Sequence, residues 1–133
     1  MARSGKKPRR LVVGDEVFLV SLRHEHREEA GRYPRYLDCT EVLTIRRHGA
    51  RAQLRIVFQQ GPGRLVPDGG PGPGTIVATE DDHLNLAEPG TMRALLDEAR
   101  KRGWHPDDPR PEQLDGWSLF ATVATRRTRN PRD

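Results

Sequence analysis

Apolar residues recur at Met92, Leu95, Leu96 and Ala99, the i, i+3, i+4, i+7 spacing of one buried helical stripe. Pro89 suits a first helical position, where the missing N–H costs nothing, so Glu88 is read as the N-cap. The Glu88 side chain is long for bonding first-turn amides, but its charge suits the positive end of the helix dipole. Arg93, Asp97, Arg100 and Lys101 fall off the stripe. Asp97–Lys101 and Glu98–Arg102 are i,i+4 pairs with the acid first, the better order. Gly103 fits the left-handed C′ position, and Trp104 follows at C″, placed to fold back on the last turn. Pro106 and Pro109 prevent continuation.

Elsewhere the apolar pattern is that of strands. Residues 17–22 form an apolar run just after Gly14-Asp15. Residues 23–35 are densely charged and punctuated by Gly31 and Pro34, which predicts a strand end followed by a loop. Residues 39–47 and 51–59 are rich in β-branched and aliphatic side chains. His48-Gly49-Ala50 between them reads as a hairpin turn with Gly49 at positive φ. Leu54, Ile56 and Phe58 alternate with Gln53, Arg55, Val57 and Gln59, as in a strand buried on one face. The strand before it alternates less cleanly, which suggests a central position.

Ten of the 14 residues from 61 to 74 are Gly or Pro, so no regular element is expected there, with Leu65 and Val66 pinning its middle to the body. Residues 75–79 read as a strand, Glu80-Asp81-Asp82 as an acidic turn, and 83–86 as a short strand. Residues 117–123 read as the last strand, with Trp117, Leu119, Ala121 and Val123 on one face. There is no internal repeat. The pattern predicts an α+β fold: an antiparallel, meander-like sheet of about five or six strands with one main helix packed on one face.

A chain of 133 residues suits one domain, here residues 11–125. Residues 1–10 read as a disordered basic arm and 126–133 as a basic C-terminal tail. The arm carries a net +5 and the tail +3, so a total of +4 leaves the body at −4. High pI is therefore a property of the ends, and the body is acidic. Twenty of the 23 basic residues are Arg, a bias expected of a GC-rich genome. No run reaches membrane-spanning length, no apolar signal segment is present, and the single cysteine Cys39 cannot build an intrachain disulfide framework. A cytoplasmic protein is expected, with no membrane contact.

The segment Glu88-Pro89-x-x-Met92-Arg93-x-Leu95-Leu96-x-x-Ala99-x-x-x-Gly103-Trp104-x-Pro106, followed by an apolar stretch, resembles a set of small bacterial α+β domains. These have several antiparallel strands, a Pro-started helix ending in Gly-Trp-x-Pro, and a terminal strand. The resemblance covers about the last third of the body. It implies a fold and transfers no activity, cofactor or site. The Gly/Pro segment and the basic ends depart from the pattern.

Catalytic constellations are weak. His24-x-His26 on a strand would place both imidazoles on one face, with Cys39, His48 and His83 as further ligand types, but no zinc-site spacing is present. Glu80, Asp81, Asp82 and His83 could hold magnesium, yet consecutive acids on a strand point in alternating directions. Ser4, Ser21 and Ser118 lie outside any nucleophile motif. Asp38 beside Cys39 would raise the thiol pKa, the wrong direction for activation. Residues 72–75 lack the lysine and the following helix of a phosphate loop. No cofactor, metal or catalytic residue is assigned, and a non-enzymatic protein is expected.

Two binding readings remain. One is recognition of another protein, as by an immunity, inhibitor or assembly subunit. Its candidate contacts are His24, His26, Arg27, Tyr33, Arg64 and Leu65 in the charged and Gly/Pro segments. The alternative is a nucleic-acid accessory protein using Arg9, Arg10, Arg46, Arg47, Arg51, Arg55, Arg126 and Arg127 as phosphate contacts. The acidic body, and the lack of a recognition motif or aromatic platform, favour the first.

Overall fold

The computed structural model describes residues 8–33, 35–66, 74–78 and 82–129. In chain order they form β1 (Arg9–Val13), β2 (Glu16–Glu29), β3 (Arg35–Arg47), β4 (Leu54–Gln59), β5 (Arg64–Leu65), β6 (Thr75–Ala78), β7 (His83–Asn85), α1 (Pro89–Lys101), β8 (Glu112–Asp115) and α2 (Trp117–Arg129). Expectations for residues 1–7, for Pro34, for 67–73 of the Gly/Pro segment, for Thr79-Glu80-Asp81 and for 130–133 lie outside the described residues.

The α+β class is as expected; the architecture differs from the expectation in three respects. The large sheet has the order β1-β2-β3-β4-β8. Its first three pairings are antiparallel, but β8 joins β4 in parallel, so the sheet is mixed. A second, antiparallel sheet is built from β5-β6-β7. Two helices are present where one main helix was expected.

α1 follows its sequence closely. Glu88 is the N-cap, Pro89 opens the helix, and Met92, Leu95, Leu96 and Ala99 are buried. At the other end Gly103 donates to Arg100 O at 3.1 Å and Trp104 to Ala99 O at 3.0 Å. With Gly103 at φ +110° this is the Schellman pattern, which requires a residue at ease in the left-handed region. Trp104 folds back into the core, 5% exposed. The Glu98–Arg102 pair forms at 3.0 Å. Asp97 pairs with Arg93 at 3.1 Å instead of with Lys101.

The stretch read as a last strand is α2. Leu119, Phe120 and Val123 are buried, Ala124 packs on the core, and Ala121 is exposed. A strand would have placed Ala121 beside Leu119 and Val123. A short apolar run fits either period, and here the helical one holds. The terminal strand implied by the resemblance is thereby replaced. The strand in this region is β8, whose sequence Glu-Gln-Leu-Asp carries one apolar residue. It exists because β4 offers a free edge: Glu112 N donates to Gln53 O at 3.0 Å and Gly116 N to Val57 O at 2.7 Å.

The described parts of the ends expected to be tails, residues 8–10 and 126–129, enter the fold. Arg9 and Arg10 open β1, and Arg9 donates to the Ala87 carbonyl at 2.6 Å. Arg126 reaches Glu98 at 3.5 Å and Asp97 at 3.9 Å, and Arg127 reaches Glu88 at 3.1 Å, so this end of α2 binds the acidic side of α1. The charged segment 23–35 is a ribbon, since β2 continues to Glu29 and β3 begins at Arg35. Its ladder carries a bulge between Glu25 and Arg27. Gly49 has the expected positive φ of +86°, but β4 starts only at Leu54 and leaves Arg51 in the connection. Val66 is buried as expected, whereas Leu65 is 53% exposed.

One core unites the layers. Phe18, Val20, Leu43, Ile45, Leu54, Ile56 and Phe58 project from a single face of β2, β3 and β4. α1 and α2 meet that face, with Arg100 5.6 Å over the Phe18 ring and Trp117 edge-on to Phe58 at 5.4 Å. Ile76 and Leu84 of the small sheet join the same cluster.

Glu16 ties these layers together. It accepts from Arg100 of α1 at 3.0 Å and lies 3.3 Å from Arg47 of β3, which also bonds Asp107. The Arg100 hydrogen bond, with the Arg47 charge beside it, holds the Glu16 carboxyl below its ordinary range against opposing desolvation. A carboxyl lowered on folding contributes stability above its unfolded pKa and loses it as pH falls through the folded value. Melting curves of wild type should therefore fall on the acid side of the ordinary glutamate range. Glu16→Gln is expected to make that acid limb shallower. An identical acid limb would show that Glu16 carries none of it.

Candidate functional site

The strand registers place a second set of side chains on the face opposite the core. Across the sheet this face reads Val12–Val17, then Arg10–Leu19–Arg46, then Ser21–Thr44–Arg55–Gln113, then Arg23–Val42–Val57–Asp115. β-Strand side chains alternate, so burying Phe18, Val20, Leu43 and Ile45 on one side fixes Val17, Leu19, Val42 and Thr44 on the other. Val12, Val17, Leu19 and Val57 all stand outside the core cluster, while Val42 is buried, 4% exposed. Because α1, α2 and the small sheet meet the Phe18–Phe58 side, the described elements leave the opposite face open. Val12 is 61% exposed.

This face is basic. Arg55 is held flat by a 3.0 Å bond to Gln113, and Arg23 pairs with Glu25. Arg10 and Arg46 flank Leu19, are exposed, and have no carboxylate partner among the described residues. Two guanidinium groups thus frame an aliphatic centre with no counter-charge supplied by the described residues. Phe18, Phe58, Trp104, Trp117 and Phe120 are all in the core, so no aromatic platform for stacking bases stands here among the described residues.

The eight arginines read as phosphate contacts therefore separate. Arg10, Arg46 and Arg55 share the open face. Arg9 and Arg47 lie on the core side of the sheet, bonded to the Ala87 carbonyl and to Glu16 with Asp107. Arg126 and Arg127 are spent on α1. Arg51 lies in the β3–β4 connection.

The protein-contact candidates occupy two places. His24, His26 and Arg27 lie along the β2–β3 ribbon, with Tyr33 at its tip. His24 faces inward, and its Nδ1 is 2.5 Å from Oε1 of the buried Glu41. The His24 and His26 rings stand 5.5 Å apart, and Arg27 pairs with Asp38 at 3.0 Å. β1 pairs only as far as Val20 and β4 only from Thr40, so residues 27–29 and 35–37 form a two-stranded extension. Tyr33 is 79% exposed, with the Arg32 guanidinium 5.9 Å from its ring centre. Arg64 and Leu65 sit on β5, Arg64 lying 5.6 Å over the Trp117 ring.

Sequence reading took residues 17–22 as one apolar run and did not separate Leu19 from the core, whereas it set Val57 on the outward face of its strand. The signal that separates Leu19 is its alternation with Phe18 and Val20, which are buried. No helix among the described residues is long and apolar enough to cross a membrane. Comparison with protein-family models, curated proteins and solved structures found no match.

Proposed function

We propose that this is a non-enzymatic binding protein that docks another protein on the open face of its five-stranded sheet. The partner it fits has an aliphatic centre and acidic side chains around it. The observation that carries this reading is the Arg10–Leu19–Arg46 row, flanked by Val12 and Val17, with Val57 further along the face. An exposed apolar patch rimmed by charge is a common form of interaction surface. Unpaired arginines speed encounter with an acidic partner and fix its orientation. Nucleic acid fits less well, because Arg9, Arg47, Arg126 and Arg127 are engaged inside the fold and no stacking aromatic among the described residues stands on the face.

Site-specific photocrosslinking in the native host tests this. A photoreactive residue at Thr44, in the middle of the open face, should yield one defined protein adduct. The same residue at Ala121, exposed on α2, should not. Equal labelling from both positions, or a Thr44 adduct that disappears with nuclease, would overturn the reading.

A further inference from the structure

We propose that copies of this chain join head to tail. The β1 edge of one copy pairs antiparallel with the β8 edge of the next, so the five-stranded sheet continues from copy to copy. The inference stands independently of the docking reading, since it uses the edges of the sheet and leaves its open face uncovered. In the order β1-β2-β3-β4-β8, no further strand lies beyond β1 or β8 among the described residues. Such an edge is a row of N–H and C=O groups ready to template another strand. The two edges carry opposite charge. β1 opens with Arg9 and Arg10, whereas β8 begins with Glu112 and ends with Asp115. Arg10, Glu112 and Asp115 are all exposed.

The backbone fixes how they meet. The Gly14-Asp15 turn closes on the Val13–Glu16 pair, so Arg9, Leu11 and Val13 bond β2. The N–H and C=O of Arg10 and Val12 therefore point outward. On β8, Glu112 N and Gly116 N bond β4, so the peptide groups of Gln113 and Asp115 point outward. The next outward position on either strand is a proline, Pro8 or Pro111, with no N–H to give. One antiparallel register then uses every outward group, with Arg10 opposite the next copy's Asp115 and Val12 opposite its Gln113. That register sets an arginine against a carboxylate. It also sets Leu11 opposite the next copy's Leu114, two half-buried leucines that already pack on their own cores.

A plain repeat of the sheet gives this geometry. β8 runs parallel to β4 and β1 runs opposite to both, so copies in one orientation meet antiparallel with their open faces on one side. The repeat of the five strands is about 24 Å, and two helices side by side on the core face need about 20 Å, so the helical layer also fits. Pairing β1 with the β1 of a second copy about Leu11 would instead bring the two Arg10 side chains together diagonally on one face, which like charges oppose. A head-to-tail contact of this kind leaves a free edge at each end, so the assembly grows. One pair of short strands buries little surface, so each contact is weak.

Sedimentation of the full chain over a rising concentration series reads the assembly. The average mass should climb steadily past that of a dimer, and added salt should lower it. Val12→Pro blocks the β1 edge and Gln113→Pro the β8 edge, each removing an outward N–H, a change that an edge strand tolerates. Either variant alone should stay monomeric, and their mixture should form a one-to-one dimer that grows no further. Asp115→Asn keeps the oxygen that accepts from Trp117 N at 3.1 Å and should weaken association several-fold. Arg10→Gln should cost as much, and the two together little more, because they remove the same pair. Should a proline variant fail to fold, this charge cycle decides alone. A wild-type mass that stays constant with concentration, or that stops at a dimer, would overturn the proposal. So would a mixture that stays monomeric while both proline variants melt as the wild type does, or association that Arg10→Gln and Asp115→Asn leave unchanged.

Discussion

Gly116→Ala is expected to destabilise the protein by about 3 kcal/mol or more, the upper range for overpacking a filled core. A Cβ at residue 116 would lie 2.5 Å from Cε2 and Cζ of Phe58 and 2.6 Å from its Cε1. Neither side can give way easily. The Phe58 ring is wholly buried and stands edge-on to Trp117, which in turn packs on Phe120. The Gly116 backbone is held by its bond to Val57 O at 2.7 Å and by Leu119 N bonding its carbonyl at 2.9 Å. Gly116 thus lets β8 pass into α2 directly against the core. Urea unfolding of Gly116→Ala, Phe58→Leu and the double variant checks the cause. The smaller ring-free side chain should recover much of the alanine loss, giving a clearly non-additive cycle. Strict additivity would show that Phe58 is not the obstacle.

Reversing two charges on the open face should have the largest effect on binding. Arg10→Glu with Arg46→Glu replaces both cations beside Leu19 with groups that repel an acidic partner. The expected loss of affinity is about 100-fold, as charge pairs at a desolvated centre contribute several kcal/mol between them. Leu19→Asp should act in the same direction through the apolar centre. None of these changes should lower the melting temperature much, because Arg10 and Arg46 are exposed and lack carboxylate partners among the described residues. The wild-type association rate should fall as salt rises. Calorimetry with the partner that the crosslink identifies measures the affinities and melting temperatures, and stopped-flow mixing measures the rate. Full affinity in the double reversal would remove the open face as the docking surface.

The residues that carry the resemblance to small bacterial domains lie on α1 and its Gly103-Trp104 end, while residues 117–129, where a terminal strand was expected, are α2. The resemblance rests on a helix cap and a folded-back Trp, features that any helix packed on a sheet can use. It therefore speaks to α1 and not to the chain that follows.

Charge was harder to read than hydrophobicity. Net charge placed the basic residues at the ends and suggested free tails. Arg9, Arg126 and Arg127 are instead bonded within the fold, two of them to α1 carboxylates. Composition counts charges and cannot see which are neutralised. The ribbon shows the same limit. Residues 27–29 are polar and exposed on both faces because both faces of a two-stranded extension meet water, so no period betrays the strand there. Its ladder, the Arg27–Asp38 pair and the His24–Glu41 contact form only with β3 in place.

By itself the sequence determined α1 and the inner face of β4. Capping, the apolar stripe and strand alternation act within a few residues, so the local chain contains the whole cause. Tertiary structure decided the rest. Residues 112–115 became a strand because β4 had an unpaired edge, and residues 117–129 became a helix that buries Leu119, Phe120 and Val123 against the core. The two uses of the sheet were decided in the same way. Leu19 and Leu43 look alike in sequence, and only the position of the helices buries one in the core and leaves the other framed by Arg10 and Arg46.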